Sequence, residues 1–422
     1  MNEIELSKGN NIFKYQKLDY TAGQVDLLYL IAFEIQKFKK SKRGNQIRIS
    51  GYAGTGKTTV MENLFQYGLE YGTFAGCVIL APTNKAKMVL QTKVKVKEDY
   101  FNTIHSFIYG SPDEKGDWHV KTDVKNYYVL VDESSMISED VYNDIIKTFT
   151  NSLIVFIGDG FQLEPVGKDI GLLKNPNLSL TEVKRNAGDI LAYSIKLRET
   201  KNTDFDEFES IKSLDSHRAI DEYVEDIKNN KDVIYICADN NVRVAINIKC
   251  RRRLFVNNND LIVVNDRMIS IANSKFFANG ETFTVNEVQI IKEKEIRFTD
   301  YYGNEIIEKI LVCFINNMTC LVMLDTKKPS IIHSQFSYID LEDLEDLVGN
   351  LNIEWNETGR KYSLKRDVVI CTYGYGIVCH KAQGSQWDKV YVQIPSYKPK
   401  WDEIRWLYTA ITRAVNKLII IK

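Results

Sequence analysis

The chain contains no Cys-x-x-C pair, no long apolar run and no excess charge of either sign. Each absence removes a class of protein. The seven cysteines, Cys77, Cys237, Cys250, Cys313, Cys320, Cys371 and Cys379, are scattered. That spacing argues against a zinc site or a disulfide framework and predicts reduced thiols in a cytosolic protein. No stretch approaches the ~20 apolar residues of a membrane span, so no membrane partner is expected. The opening Met1-Asn2-Glu3-Ile4-Glu5 has no signal-peptide core. The formal net charge is −1, so any nucleic acid must be held by a local groove and not by bulk charge. Internal repeats, low-complexity linkers and a nuclease signature are likewise missing.

What is present is a globular composition, 44% hydrophobic and 26% charged, over 422 residues. That length suits roughly three domains. Gly51-Tyr52-Ala53-Gly54-Thr55-Gly56-Lys57-Thr58 is a complete phosphate-binding loop, G-x-x-x-x-G-K-T. It follows the apolar Ile47-Arg48-Ile49-Ser50 and precedes Thr59-Val60-Met61-Glu62-Asn63-Leu64-Phe65, the strand–loop–helix context the motif needs. Glycines let backbone N–H groups close around phosphate oxygens, and the helix N-terminus favours the anion. Lys57 is expected to reach the β- and γ-phosphates of a nucleoside triphosphate, and the Thr58 hydroxyl to bind Mg²⁺.

Three more apolar runs end in polar clusters. Cys77-Val78-Ile79-Leu80 leads into Ala81-Pro82-Thr83-Asn84-Lys85, Tyr128-Val129-Leu130-Val131 into Asp132-Glu133-Ser134-Ser135, and Leu153-Ile154-Val155-Phe156-Ile157 into Gly158-Asp159-Gly160-Phe161-Gln162. Such runs suit buried parallel strands, and ligand sites gather at the carboxyl ends of those strands. Four strands that deliver polar residues at one end build one site. Asp132 is then a Mg²⁺ ligand, direct or through water, and Glu133 a general base for the attacking water. Gln162 suits orienting water or sensing the γ-phosphate. Thr21-Ala22-Gly23-Gln24 has two readings: Gln24 pairs with adenine N6 and N7, or it closes a capping box with Thr21 as N-cap.

In this order the motifs resemble those of superfamily 1 helicases, specifically the B branch of RecD-like, Dda-like and Pif1-like enzymes. Gln24 sits at the family's adenine-reading glutamine, and Gly51 to Thr59 match motif I. Ala81 to Ala86 are similar to motif Ia, and Thr103-Ile104-His105-Ser106-Phe107 match the T-I-H-S element. Val131 to Met136 form motif II, Gly158 to Gly167 motif III, and Glu182-Val183-Lys184-Arg185 motif IV. His380-Lys381-Ala382-Gln383-Gly384-Ser385-Gln386 resembles motif V, and Leu407-Tyr408-Thr409-Ala410-Ile411-Thr412-Arg413-Ala414 motif VI.

The resemblance implies an α/β fold of two RecA-like parallel-sheet lobes. A small β-hairpin is inserted in the first lobe and a small SH3-like β-barrel in the second. Residues 1–185 are the first lobe, with a pin insertion over about 107–125. Residues 186–280 and 371–422 are the second lobe, and 281–370 the inserted domain 2B. ATP binds between the lobes, against Ala53, Gly54, Thr55, Gly56, Thr59, Gly384 and Gln386, while Arg185 and Arg413 meet the transferring phosphoryl group. Single-stranded DNA falls to Pro82, Thr83, Asn84, Thr103 and His105 in one lobe and to His380, Lys381 and Ser385 in the other.

Trp118 in the pin either abuts the duplex end or packs a short decorative loop. The implied protein is an ATP-dependent helicase, active as a monomer. It moves 5′ to 3′ on single strands, meets duplex junctions and replication or repair proteins, and works in a bacterial or phage-infected cytoplasm. A protein-stripping translocase and a nucleotide-dependent DNA-binding adaptor are the alternatives.

Further patterns complete the reading. Val233 to Ile236, Leu261 to Val264, Val390 to Val392 and Leu418 to Ile421 read as second-lobe strands. Glu281 to Val285, Glu295 to Phe298 and Cys320 to Leu324 alternate as antiparallel strands do, with a hairpin turn at Tyr302 to Glu305. Leu341 to Leu347 read as a short acidic helix. Arg251-Arg252-Arg253 reads as a solvated face, and Lys93, Lys95 and Lys97, which alternate with valines, as a solvated strand face.

Overall fold

A computed structural model describes residues 3–8, 11–16, 20–109, 119–183, 188–256, 258, 260–272, 274, 276, 277, 279–299, 305–324, 368–395 and 402–421. The chain forms two compact units, and the first runs to Lys201. It opens with a hairpin of β1 (Glu3–Lys8) and β2 (Asn11–Gln16). Then come α1 (Ala22–Ser41), β3 (Asn45–Gly51), α2 (Lys57–Tyr71), β4 (Gly76–Ala81), α3 (Asn84–Lys93), β5 (Phe101–Thr103) and α4 (Ile104–Ile108). They are followed by β6 (Tyr127–Val131), α5 (Glu139–Thr148), β7 (Leu153–Gly158), β8 (Leu178–Leu180) and α6 (Asp189–Thr200).

The six-stranded sheet has the order β5-β4-β6-β7-β3-β8, and all its neighbours are parallel. The runs Val78–Ala81, Tyr128–Val131 and Leu153–Gly158 are buried. They are apolar on both faces because helices cover both faces of the sheet. One face packs Leu27, Ile31 and Ile35 of α1 and Met61, Leu64 and Phe65 of α2 against Ile79, Leu130 and Val155. The four strands expected to share a site, β4, β6, β7 and β3, are consecutive neighbours.

The second unit contains β9 (Ile211–Leu214), α7 (Ser216–Lys228), β10 (Val233–Cys237) and α8 (Asn240–Leu254). It continues with β11 (Arg267–Ser270), β12 (Thr282–Thr284), β13 (Val288–Thr299), β14 (Glu305–Ile315), β15 (Met318–Met323), β16 (Val369–Tyr373) and β17 (Gly376–Val378). It ends with α9 (Cys379–Ala382), β18 (Trp387–Gln393), α10 (Glu403–Ile411) and β19 (Ala414–Ile421). A parallel sheet of order β17-β10-β18-β19-β9 is its RecA-like core. A second sheet, β12-β11-β16-β15-β14-β13, is mixed.

That mixed sheet runs across the expected boundaries at 280 and 370. Backbone groups of β16 are satisfied by β15 on one side and by β11 on the other. Among the described residues it stays open, with β12 and β13 at its edges. The Leu341 to Leu347 helix and the tip of the Tyr302 turn lie outside the described residues, although β13 and β14 do pair as a hairpin. The first unit also extends beyond residue 185, because α6 buries Ile190, Tyr193 and Leu197 within it. No helix among the described residues is long and apolar enough to cross a membrane.

Three local expectations change. Leu261 to Val264 form a turn, and the strand begins later, at Arg267. The turn is fixed by Asp266, whose carboxylate accepts from Val263 N at 2.9 Å. Arg251 is not solvated: it grips fully buried Asp266 with two bonds of 2.8 Å, and Tyr375 donates to the same carboxylate. Arg253 pairs with Asp221, which leaves Arg252 as the exposed member. Residues 94–97 form no strand; Val94 turns inward while Lys93, Lys95 and Lys97 stay exposed.

A buried ion cluster ties α7 to the parallel sheet. Lys389 Nζ meets Asp226 and Glu222 at 2.6 Å each, and Asp226 also accepts from Tyr391 and Lys231. Burial alone would raise Asp226, but the Lys231, Lys389 and Tyr391 bonds hold it below the ordinary carboxylate range. Its contribution is therefore intact at neutral pH and fades only as pH falls through that lowered value. Lys389→Met removes the buried cation beside a buried carboxylate and is expected to cost about 3 kcal/mol at pH 7. Urea unfolding checks this; a loss under about 1 kcal/mol would mean the cluster is as weak as a surface ion pair.

Candidate functional site

The phosphate loop joins β3 to α2 in the conformation its glycines permit. Gly54 and Gly56 lie at φ of 78° and 75°, the left-handed region that L side chains avoid. Lys57 Nζ donates to Gly51 O at 2.5 Å and to Tyr52 O at 3.1 Å. Thr55 is buried and donates to the same Tyr52 carbonyl through Oγ1 at 2.8 Å. Thr58 and Thr59 follow in the first turn of α2, and Ala53 sits at the loop's partly exposed tip.

Gln24 is buried and closes the capping box of its second reading. Its Oε1 accepts from Thr21 N at 3.0 Å and its backbone N–H donates to Thr21 Oγ1, so the capping box is formed. Its Nε2 donates to Thr55 O at 2.8 Å, and a Cβ on Gly56 would collide with that amide. The start of α1 is thereby locked to the phosphate loop.

Asp132 and Glu133 stand at the carboxyl end of β6. Burial and then the adjacent Glu133 charge push Asp132 up to about 7, opposed by Lys57 and Lys93. Glu133 itself adopts φ 48°, ψ 40°. A left-handed glutamate is strained, and such strain is kept where the surroundings impose it, often at functional sites. Gly158, at the end of β7, is what permits this turn: an added Cβ would sit 2.9 Å from both Ser134 N and Ser135 N.

The turn after β7 abuts β3, with Gly160 N 3.4 Å from Ser50 Oγ, and Asp159 Oδ1 accepts from Phe161 N. Gln162 follows, buried. Among the described residues, Glu133 Oε2, Ser135 Oγ and Gln162 Oε1 are buried polar atoms without a hydrogen-bond partner. Unmet acceptors of this kind are costly unless a ligand or water completes them. These oxygen donors fit a hard divalent cation and its water, and a cation relieves the Asp132–Glu133 repulsion.

The neighbouring strand ends carry the expected strand-binding residues. Thr83 caps α3 through a bond from Ala86 N, and buried Thr103 caps α4 through Ser106 N, so both hydroxyls are engaged locally. Pro82 and Asn84 are half-buried and His105 is exposed. Trp118 and Arg185 lie outside the described residues.

The second unit holds the motif V and VI residues. Arg413 is buried and bonds Thr409 O, Ser385 O and Thr412 Oγ1 at 3.0, 3.3 and 3.1 Å. Gly384 takes φ 71°, Gln386 is exposed, and Ser385 Oγ is buried without a partner. Lys381 donates to Asn279 Oδ1 at 3.0 Å; burial and then Arg243 lower it to about 8. Burial also lowers His380.

The sequence did not point to Asn279, Arg243, Leu191 and Arg198. None belongs to a local pattern, and each reaches its neighbour from another element.

The sheet order and the loop between β3 and α2 define a phosphate-loop protein with a RecA-like fold. A family model described as an AAA domain matches residues 36–168, and one described as the UvrD-like helicase C-terminal domain matches 373–421. The ATP-dependent DNA helicase dda of Enterobacteria phage T4 is 30% identical over 200 residues, covering 43% of each chain. An uncharacterized protein of Methanocaldococcus jannaschii is 25% identical over 437 residues, 88% of this chain. The chain spans 36% of the archaeal relative's length and 43% of the phage protein's. A Pif1 helicase solved in work on forked duplex unwinding by two coordinating copies matches in fold, with TM-score 0.50 at 17% identity. That match covers 96% of this chain and 92% of that one. The chain is thus similar in sequence, over part of its length, to UvrD-like helicases and to the phage T4 helicase dda, and similar in fold to a Pif1 helicase.

Proposed function

We propose that this protein is an ATP-dependent DNA helicase that travels 5′ to 3′ on single strands and unwinds duplex at junctions. The observation that carries hydrolysis is the set of unpartnered buried oxygens of Glu133, Ser135 and Gln162; unwinding and polarity rest on the likeness of the motifs to those of superfamily 1B helicases. A site that only binds nucleotide has no need to bury a free base and a free amide oxygen.

Lys57 holds the β- and γ-phosphates, and Gln24 meets the adenine. Thr58 and Asp132 would hold magnesium, which when bound would neutralise charge on the phosphate oxygens. Glu133 takes the proton of the attacking water, Gln162 orients that water, and Arg185 and Arg413 stabilise the charge that develops. Pro82, Thr83, Asn84, Thr103 and His105 contact the strand from the first unit, and His380, Lys381 and Ser385 contact it from the second. Stacked bases contribute about 1–3 kcal/mol each with little sequence preference. Trp118 is the residue we assign to contact with the duplex junction.

The test is ATPase stimulation by single-stranded DNA, coupled to unwinding of duplexes with one tail. Duplexes with a 5′ tail are expected to be unwound and those with only a 3′ tail left intact. Preference for the 3′ tail would reverse the polarity, and ATPase without unwinding of either would favour a protein-stripping translocase.

A further inference from the structure

The tyrosine of the phosphate loop stands at a position where the motif admits any residue, yet the loop's geometry converges on it. Tyr52 O accepts from Lys57 Nζ at 3.1 Å, from Thr55 N at 3.3 Å and from Thr55 Oγ1 at 2.8 Å. Moving this carbonyl would therefore move both the phosphate-reaching lysine and the loop's buried threonine.

The Tyr52 ring is itself held from outside the loop. The Arg198 guanidinium lies over it, 3.7 Å from the ring centroid. The Arg198 side chain is only 12% exposed, and it also pairs with Glu199 at 3.1 Å. A cation stacked this closely on an aromatic face and largely withdrawn from water makes a stronger contact than an exposed one. Two turns earlier on the same face of α6, Leu191 occupies the space beside Gly54 that a Cβ would need. α6 is fixed in the first unit by buried Ile190, Tyr193, Ser194 and Leu197. It therefore touches the loop at two points, Gly54 and Tyr52, from a rigid base.

We propose that Arg198 is a positioning residue for nucleotide binding. By stacking on Tyr52 it fixes the carbonyl that organises Lys57 and Thr55, so the loop meets the triphosphate already shaped. The contact acts through Tyr52, and Arg198 need not touch the nucleotide. The inference rests on the reading of this loop as a nucleoside-triphosphate site.

The experiment measures ATP KM and kcat at saturating single-stranded DNA, beside thermal melting, in the full chain. Arg198→Ala and Tyr52→Leu are each expected to raise KM about fivefold, the scale of a partly desolvated cation–π contact, with kcat within about twofold. Arg198→Lys keeps the charge and is expected to fall between wild type and Arg198→Ala. Tyr52→Phe keeps the ring and is expected to raise KM less than Tyr52→Leu. The double variant Arg198→Ala/Tyr52→Leu is expected to be no worse than either single one, because both remove one contact. An unchanged KM in folded Arg198→Ala, or fully additive effects in the double variant, overturns the proposal. Should Arg198→Ala fold poorly, the comparison of Tyr52→Phe with Tyr52→Leu decides, and equal KM values in that pair overturn it. A wild-type chain that binds no ATP would instead sink the reading of the loop itself.

Discussion

Glu133→Gln is expected to lower DNA-stimulated ATP turnover by about 10²–10⁴-fold, the contribution of a positioned general base. The substitution keeps shape and the left-handed backbone at φ 48°, so the fold is expected to be undisturbed. Its effect on the neighbour has a definite sign. The Glu133 charge helps raise Asp132 to about 7. A neutral amide removes that repulsion, so Asp132 falls and is more fully ionised at neutral pH. Binding of magnesium nucleotide should then be kept or tightened while hydrolysis is lost. Turnover and binding measured on the same preparation check both halves. Near-normal turnover would remove Glu133 from its role as base. Lost binding would contradict the repulsion argument.

Arg413→Ala is expected to lower turnover by about 10³-fold or more, the range for an arginine that stabilises a phosphoryl-transfer transition state. Arg413→Lys should recover little of this. A lysine is a point charge without the planar fork that bonds Thr409 O, Ser385 O and Thr412 Oγ1 at once. Because Arg413 is buried, truncation also strands those partners and lowers stability. The lysine variant and a melting curve separate the two effects. A folded Arg413→Ala protein within tenfold of wild-type turnover would show that Arg413 serves only to join motifs V and VI.

Much of the first unit was legible because its signals are local. The apolar runs ending at Leu80, Val131 and Ile157 became buried parallel strands, and their polar ends came together as strand topology requires. Strand bounds were less secure in the second unit. Leu261 to Val264 have the composition of a strand, yet Asp266 bends the chain there by accepting from Val263 N. The inserted strands alternated as expected, but the sequence could not show that β15 would pair with β16 and extend one sheet across the domain boundary.

Single polar residues divide in the same way. The phosphate loop is set locally, since positive φ at Gly54 and Gly56 and a helix start at Lys57 fall within eight residues. So is the capping box at Thr21 and Gln24, whose partners are three residues apart. Packing between distant elements brings the Gln24 amide to Thr55, pins Arg251 on buried Asp266 and lays Arg198 over Tyr52. The physical reason is that backbone conformation is chosen by near neighbours, whereas the environment of a charge or an amide depends on what packs beside it. Asp266 meets Tyr375 across 109 positions of sequence, and no local pattern carries that information.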